Sequence, residues 1–273
     1  MTMNILITGC STGIGYHAAH HLKSLGYRVF VTARRSEDVD QLNADGFKVY
    51  QLDITEYSKV DAMFDDIIKL TNGRLDALFN NAAYGQPGAI EDLSVDVLKE
   101  QFETNVFAWH YITNKSLSIM RRQGYGRIIQ NSSVLGLVAM PFRGAYNASK
   151  FALEGLTDTL RLELMGSKIH LSLIEPGPID TCFRKNALAK FHKNIDVENS
   201  RFSKTYQIQI DRLSKDIANQ FTLPPAAVTK QLIKALTSKK PKARYYVTFP
   251  TYLFGFLKRI LSARLLDKLL VKG

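Results

Sequence analysis

Short β-branched runs alternate with segments of helical period along the first 180 residues. The runs Asn4–Thr8, Arg28–Ala33, Phe47–Asp53, Leu75–Asn80, Arg127–Ser132 and His170–Glu175 are largely apolar and of strand length. Between them, apolar residues recur every three or four positions over Ile14–Leu25, Glu37–Ala44, Lys59–Leu70, Asp96–Arg121 and Ala145–Met165, which predicts helices. Gly26 stops the first helix after Leu25, and Ser36 and Ser94 stand where N-caps are expected. Strands without a polar face need cover on both sides. The alternation therefore predicts an α/β fold, a parallel sheet between two helix layers. The Pro-flanked segment Cys182–Pro225 is less regular and has no clear strand, while Arg244–Thr248 is a candidate last strand.

Composition narrows the class. Of 273 residues, 45% are hydrophobic and 22% charged, which excludes a disordered chain. No apolar stretch reaches the roughly 20 residues of a bilayer span. Two cysteines, Cys10 and Cys182, cannot form a disulfide framework, and the N-terminus shows no signal peptide, so a cytoplasmic, reducing compartment is expected.

The formal charge of +11 is uneven. Residues 239–273 hold nine Lys/Arg and a single acid, Asp267, which leaves only +3 for everything before them. In that tail Leu253, Leu257, Ile260 and Leu261 share one helical face, and Leu265, Leu266, Leu269 and Leu270 share another. The two stripes are out of phase, so a break near Ser262 and two short amphipathic helices are expected. Apolar faces edged by Lys/Arg suit peripheral membrane contact, with docking on the domain or across a dimer as the alternative. No nucleic-acid module accompanies the charge, and no nucleic-acid partner is expected.

The first strand runs into Thr8-Gly9-Cys10-Ser11-Thr12-Gly13-Ile14-Gly15. A Gly-rich strand-to-helix turn lets backbone approach a pyrophosphate, and the helix N-terminus offers free N–H groups. The second strand ends at Arg34-Arg35 with no acid to accept from an adenosine ribose 2′-hydroxyl. The two cations suit a 2′-phosphate, so NADP is expected rather than NAD. Tyr146 and Lys150 lie four apart on one helix face, where an ammonium can favour the phenolate for proton transfer to a carbonyl oxygen. Ser132-Ser133 ends the fifth strand beside them, Asn105 lies in a long helix expected under the same edge, and Asn80-Asn81 ends the fourth strand.

In order along the chain, TGCSTGIG, LDIT at 52–55, NNAAYG, the Asn105 segment, NSSVLG, YNASK and EPGPIDT at 175–181 resemble the motifs of the short-chain dehydrogenase/reductase family. YNASKFALEGL is also similar to the branch holding retinol, hydroxysteroid and bacterial aldehyde reductases. The resemblance implies Tyr146 as catalytic acid/base and Lys150 as holder of the nicotinamide ribose. It implies Ser133 as the group orienting the substrate oxygen, and Asn105 as holder of a relay water. Gly9, Ser11, Gly13, Ile14 and Gly15 would form the cofactor loop. Asp53 would meet the adenine, Asn81 the adenosine side, and Pro176, Gly177, Ile179 and Thr181 the nicotinamide. Ala83 departs from the family's usual Gly, and Thr12 stands where some NADP members have a basic residue.

Other signals carry less. His17, His20 and His21 lack a third ligand, so a solvated helix face is expected and no metal. Cys10 and Trp109 read as buried packing residues. Val134–Arg143 and Cys182–Pro225 should wall the substrate site. Phe183, Phe191, Phe202, Tyr206 and Phe221 could line it or merely pack the lid.

The expectation is one Rossmann-type domain over 1–249, with 182–225 as lid and 250–273 as basic tail. Its seven strands should run 3-2-1-4-5-6-7, and a homo-oligomer is expected. The activity would be NADP(H)-dependent interconversion of an alcohol with an aldehyde or ketone, reducing apolar carbonyls. A hydroxysteroid or 3-oxoacyl reductase is the alternative, and a non-catalytic cofactor-binding sensor is the competitor from another class.

Overall fold

Side-chain alternation builds the sheet. In β1 (Asn4–Ile7) all four residues are buried, Ile5 and Ile7 on one face and Leu6 on the other. The same division continues through β2 (Arg28–Ala33), β4 (Ala77–Asn80) and β5 (Gly126–Asn131). Phe30, Leu78 and Ile128 join the face of Leu6, and Val31, Phe79 and Ile129 that of Ile5. With β3 (Lys48–Gln51), β6 (Ile169–Glu175) and β7 (Arg244–Tyr246), seven parallel strands run in the order 3-2-1-4-5-6-7. This is a computed structural model describing residues 2–214 and 220–271.

Helices cover both faces. α1 (Gly13–Ser24), α2 (Ser36–Ala44) and α9 (Ala226–Thr237) enclose the Ile5 side. α3 (Tyr57–Thr71), α5 (Ala108–Gln123) and α6 (Gly144–Glu163) enclose the Leu6 side. Gly26 follows α1 at φ +82°, as its role in ending the helix requires. Ser94 caps α4 (Val95–Phe102) through the Val97 N–H, 3.3 Å away. Ser36 is not a cap: it lies inside α2, and extended Arg35 takes that position.

The helix expected over Asp96–Arg121 is divided. A π turn at Glu103–Phe107 separates α4 from α5 and carries the buried Asn105. Within Cys182–Pro225 lie α7 (Phe183–Asn194) and α8 (Ser203–Ser214). Buried Phe191 and Tyr206 pack them onto Ala89, beside Phe142 and Phe202. The tail breaks at Ser262 into α10 (Phe249–Ile260) and α11 (Ala263–Leu270). Leu270 is buried against Val134, Leu135 and Val138, the loop after β5. No helix among the described residues is long and apolar enough to cross a membrane.

Candidate active site

Strand order reverses between β1 and β4, so the crossovers leave a crevice at the strands' carboxyl ends. The glycine turn closes one end of it. Gly9 and Gly13 have φ of +71° and +61°, and a Cβ on Gly9 would lie 2.6 Å from the Ala82 Cα. A Cβ on Gly13 would meet the Thr181 methyl at 2.9 Å. Thr12 makes no side-chain cap, and the first turn of α1 holds no acid. The free N–H groups and positive dipole end therefore suit an anion, and the turn fits a dinucleotide pyrophosphate.

Polar side chains fix this turn. The Gly9 N–H donates to Thr32 Oγ1 at 3.0 Å. Asn81 Nδ2 donates to the Gly9 carbonyl at 2.9 Å, and the Asn81 N–H donates to Thr8 Oγ1 at 2.9 Å. The two arginines separate. Arg34 borders the cleft, its side chain 73% exposed, and reaches Asp53 at 3.3 Å. Arg35 is held by Asp38 through two hydrogen bonds of 2.9 Å, outside the cleft lining. Burial pushes the Asp53 carboxyl up, but hydrogen bonds from Thr55 and the Arg34 charge leave it below its ordinary value.

The cleft, about 760 Å³, runs from Gly9, Ser11, Gly13 and Ile14 past Asn81 and Ser133 to Phe183 and Phe221. Pro176, Gly177, Ile179 and Thr181 form the wall after β6. Gly15 lies behind the turn, where a Cβ would strike the Gly9 carbonyl and approach Asn81 Nδ2 to 2.6 Å.

Helix α6 presents Tyr146 and Lys150 one turn apart at the cleft floor. Burial pushes the Tyr146 phenol up to about 12, against which the hydrogen bond from Ser133 pulls down. Burial lowers the Lys150 ammonium to about 7, and Glu154, one turn further along α6, pulls it up. The ammonium donates to the Asn131 carbonyl at 2.8 Å and lies 4.3 Å from the centre of the Trp109 ring. Trp109 in turn donates to the Ala82 carbonyl at 2.7 Å, so the residue expected only to pack also positions this amine.

Asn105 stands behind the floor rather than in the lining. It clamps Tyr84, donating to its carbonyl at 2.9 Å and accepting from its N–H at 3.2 Å. Asn105 also donates to Ser149 at 3.2 Å. Asn131, which links Lys150 to Asn81 by a 2.9 Å hydrogen bond, was not singled out by sequence. Its place in NSSVLG, directly before the Ser pair, was the available signal.

Of three further readings, the first changes, the second holds and the third is decided. Only His21 of the first-helix histidines is well exposed. His17 bonds Thr229 at 2.8 Å and His20 packs on Phe47. Cys10 is fully buried, which drives its thiol far up in pKa. The lid aromatics divide: Phe202 packs the lid, Phe183 and Phe221 line the cleft, and Phe191 and Tyr206 do both.

The family model for short chain dehydrogenases matches residues 3–191. The chain belongs to that family. It is 41% identical to the uncharacterized oxidoreductase YbbO of Escherichia coli over 99% of this chain and 94% of that protein. It is 32% identical to an NADPH-dependent 3-dehydrocapnine reductase of Ornithobacterium rhinotracheale, covering 98% and 95% of the two chains. A short-chain dehydrogenase of Streptomyces avermitilis superimposes with a TM-score of 0.79 at 27% identity, over 98% of this chain and 96% of that one. This short-chain dehydrogenase is thus an oxidoreductase with the fold of a nicotinamide-cofactor enzyme.

Proposed function

We propose that the protein is an NADP(H)-dependent reductase of apolar aldehydes or ketones, able to run in reverse on the alcohol. The observation that carries the reading is Tyr146. Its phenol lies at the floor of the cleft with Ser133 in the same lining and the Lys150 amine 5.6 Å from its ring centre. Gly9, Ser11, Gly13 and Ile14 would hold the pyrophosphate, Arg34 the 2′-phosphate, Asp53 and Asn81 the adenosine side. Lys150 would hold the nicotinamide ribose, with Pro176, Gly177, Ile179 and Thr181 around the ring. NADPH supplies a hydride when bound there. Ser133 then orients the substrate oxygen and Tyr146 gives it the proton, and Lys150 in its protonated form would lower the cost of the phenolate left behind. Asn105, besides its clamp on Tyr84, would hold a water of the proton relay. Arg35, engaged by Asp38, would assist Arg34 through charge alone.

Phe183, Phe221 and Phe249 around the cleft support an apolar substrate. A hydroxysteroid or 3-oxoacyl substrate would use the same machinery. A cofactor-binding sensor is disfavoured by the intact Ser133, Tyr146 and Lys150 set. The reading extends to a homo-oligomer in the cytoplasm with its tail peripheral to a membrane. The unpaired Cys10 and Cys182 support a reducing compartment. The test is NADPH oxidation with a panel of aldehydes and ketones, wild type beside Tyr146→Phe. The variant should bind NADPH and lose turnover by at least ~100-fold. Unchanged turnover would refute the role of Tyr146.

A further inference from the structure

Helix α10 turns its apolar stripe outward. Phe249, Tyr252, Leu253, Phe256 and Ile260 are all exposed, the last two at 59% each. At 3.6 residues per turn these positions fall within roughly a 100° sector. The opposite face, with Thr251 and Gly255, is buried on the body. A helix on a water-soluble surface normally shows the reverse polarity. In α11, Leu266 and Leu270 face the body, while Arg264 and Lys268 fall on the opposite side by helical spacing. Arg259 edges the α10 stripe by the same spacing. Arg259, Arg264 and Lys268 form no ion pair with any described residue.

The rest of the tail's charge is elsewhere. Lys239, Lys240 and Lys242 precede β7, at the end of the sheet away from the cleft, and Arg244 is engaged by carboxylates. The cations that matter here are those on the two helices.

The stripe is continuous with the cleft. Phe249 and Leu253 are exposed and also line it, and Phe249 stacks on Phe221 with ring centres 5.5 Å apart. Whatever covers the stripe therefore covers the mouth of the site. A second copy on a two-fold axis would set this basic patch against itself. An anionic lipid surface meets the cations with opposite charge and accepts the apolar stripe. We propose that α10 and α11 dock the protein on an anionic lipid surface, and that the cleft takes its apolar substrate from that surface. The docking stands on the exposed face alone; the loading route rests on the reductase reading.

Flotation of the full chain with vesicles tests it. Protein should float with phosphatidylcholine mixed with an equal part of phosphatidylglycerol, and far less with phosphatidylcholine alone. Replacing Arg259, Arg264 and Lys268 by Glu should weaken binding by at least roughly fivefold per position. Phe256→Gln with Ile260→Gln should release the protein with its charge intact. None of these residues lines the cleft, so turnover of a water-soluble aldehyde should be unchanged. Turnover of a long-chain aldehyde dissolved in the vesicles should fall. Absence of flotation on anionic vesicles, or flotation that neither variant set weakens, would overturn the docking. So would a dimer that Phe256→Gln with Ile260→Gln dissociates, since a second copy would then own the stripe. Flotation without turnover of any carbonyl would keep the docking and sink the reductase reading.

Discussion

Glu175→Gln should stabilise the protein and flatten its response to pH. Glu175 is fully buried at the end of β6, and Glu154 is buried beside it on α6. One guanidinium serves both. Arg244 Nε reaches Glu175 at 3.1 Å, and its Nη2 reaches Glu154 at 3.0 Å and Asp158 at 2.7 Å. Three carboxyls around that cation leave negative charge uncompensated. Burial, then the neighbouring Glu154, push Glu175 up to about 9, and the two carboxyls are close enough to share a proton. An oxygen of each, Glu154 Oε1 and Glu175 Oε2, has no other partner.

The sign follows from linkage. A carboxyl whose folded value is raised binds a proton in the folded chain that the unfolded chain has released. Stability therefore falls as pH rises from about 4.5 to about 9, by ~1.4 kcal/mol per unit. At pH 7 holding that proton costs on the order of 3 kcal/mol. Glutamine is neutral throughout, keeps an acceptor for Arg244, and offers N–H to Glu154. Urea unfolding between about pH 5 and pH 9 should give a wild type that weakens with pH and a Glu175→Gln variant that weakens less. The two should converge near pH 5. If Glu175 is instead ionised, the variant breaks a buried ion pair and loses ~3–5 kcal/mol at neutral pH, and the reasoning fails.

Three further outcomes are expected. Gly15→Ala should cut NADPH affinity by at least ~10-fold by titration, because its methyl collides with the Gly9 carbonyl that shapes the phosphate turn; unaltered affinity would remove the turn from the site. Arg34→Asp should shift preference from NADPH toward NADH by at least ~10-fold in kcat/KM, whereas Arg35→Asp should shift it less, since Arg35 already spends its fork on Asp38. Equal effects of the two would contradict the assignment of the phosphate to Arg34. Trp109→Phe should lower stability by about 1 kcal/mol in urea, through the loss of the hydrogen bond that buried Trp109 gives the half-buried Ala82 carbonyl, and a loss near zero would show that another donor replaces it.

The strand–helix alternation, the two-sided sheet and the Tyr146–Lys150 helix were legible in the sequence because each depends on local periodicity, whereas the strand order was implied by the resemblance to the short-chain dehydrogenase/reductase motifs. Near-continuous apolar strands have no stable place except between two layers, and a four-residue spacing sets two side chains on one helix face whatever surrounds them. The glycine turn was legible for a similar reason, since φ near +70° at Gly9 is a property of the backbone. The break at Ser262 followed from two apolar stripes that one straight helix cannot bury.

Tertiary structure decided what depends on residues far apart in the chain. Arg34 and Arg35 are equivalent as letters, and only the position of Asp38 on α2 and Asp53 beyond β3 separates a cation facing the cleft from one already paired. Trp109 looked like packing until the fold set Lys150 on its ring, and Arg244 looked like one more tail charge until β7 carried it to three carboxyls. Sequence spacing fixes which side chains share an element. Desolvation and charge pairing depend on which elements meet, and that is determined only when the sheet and its helices close around the site.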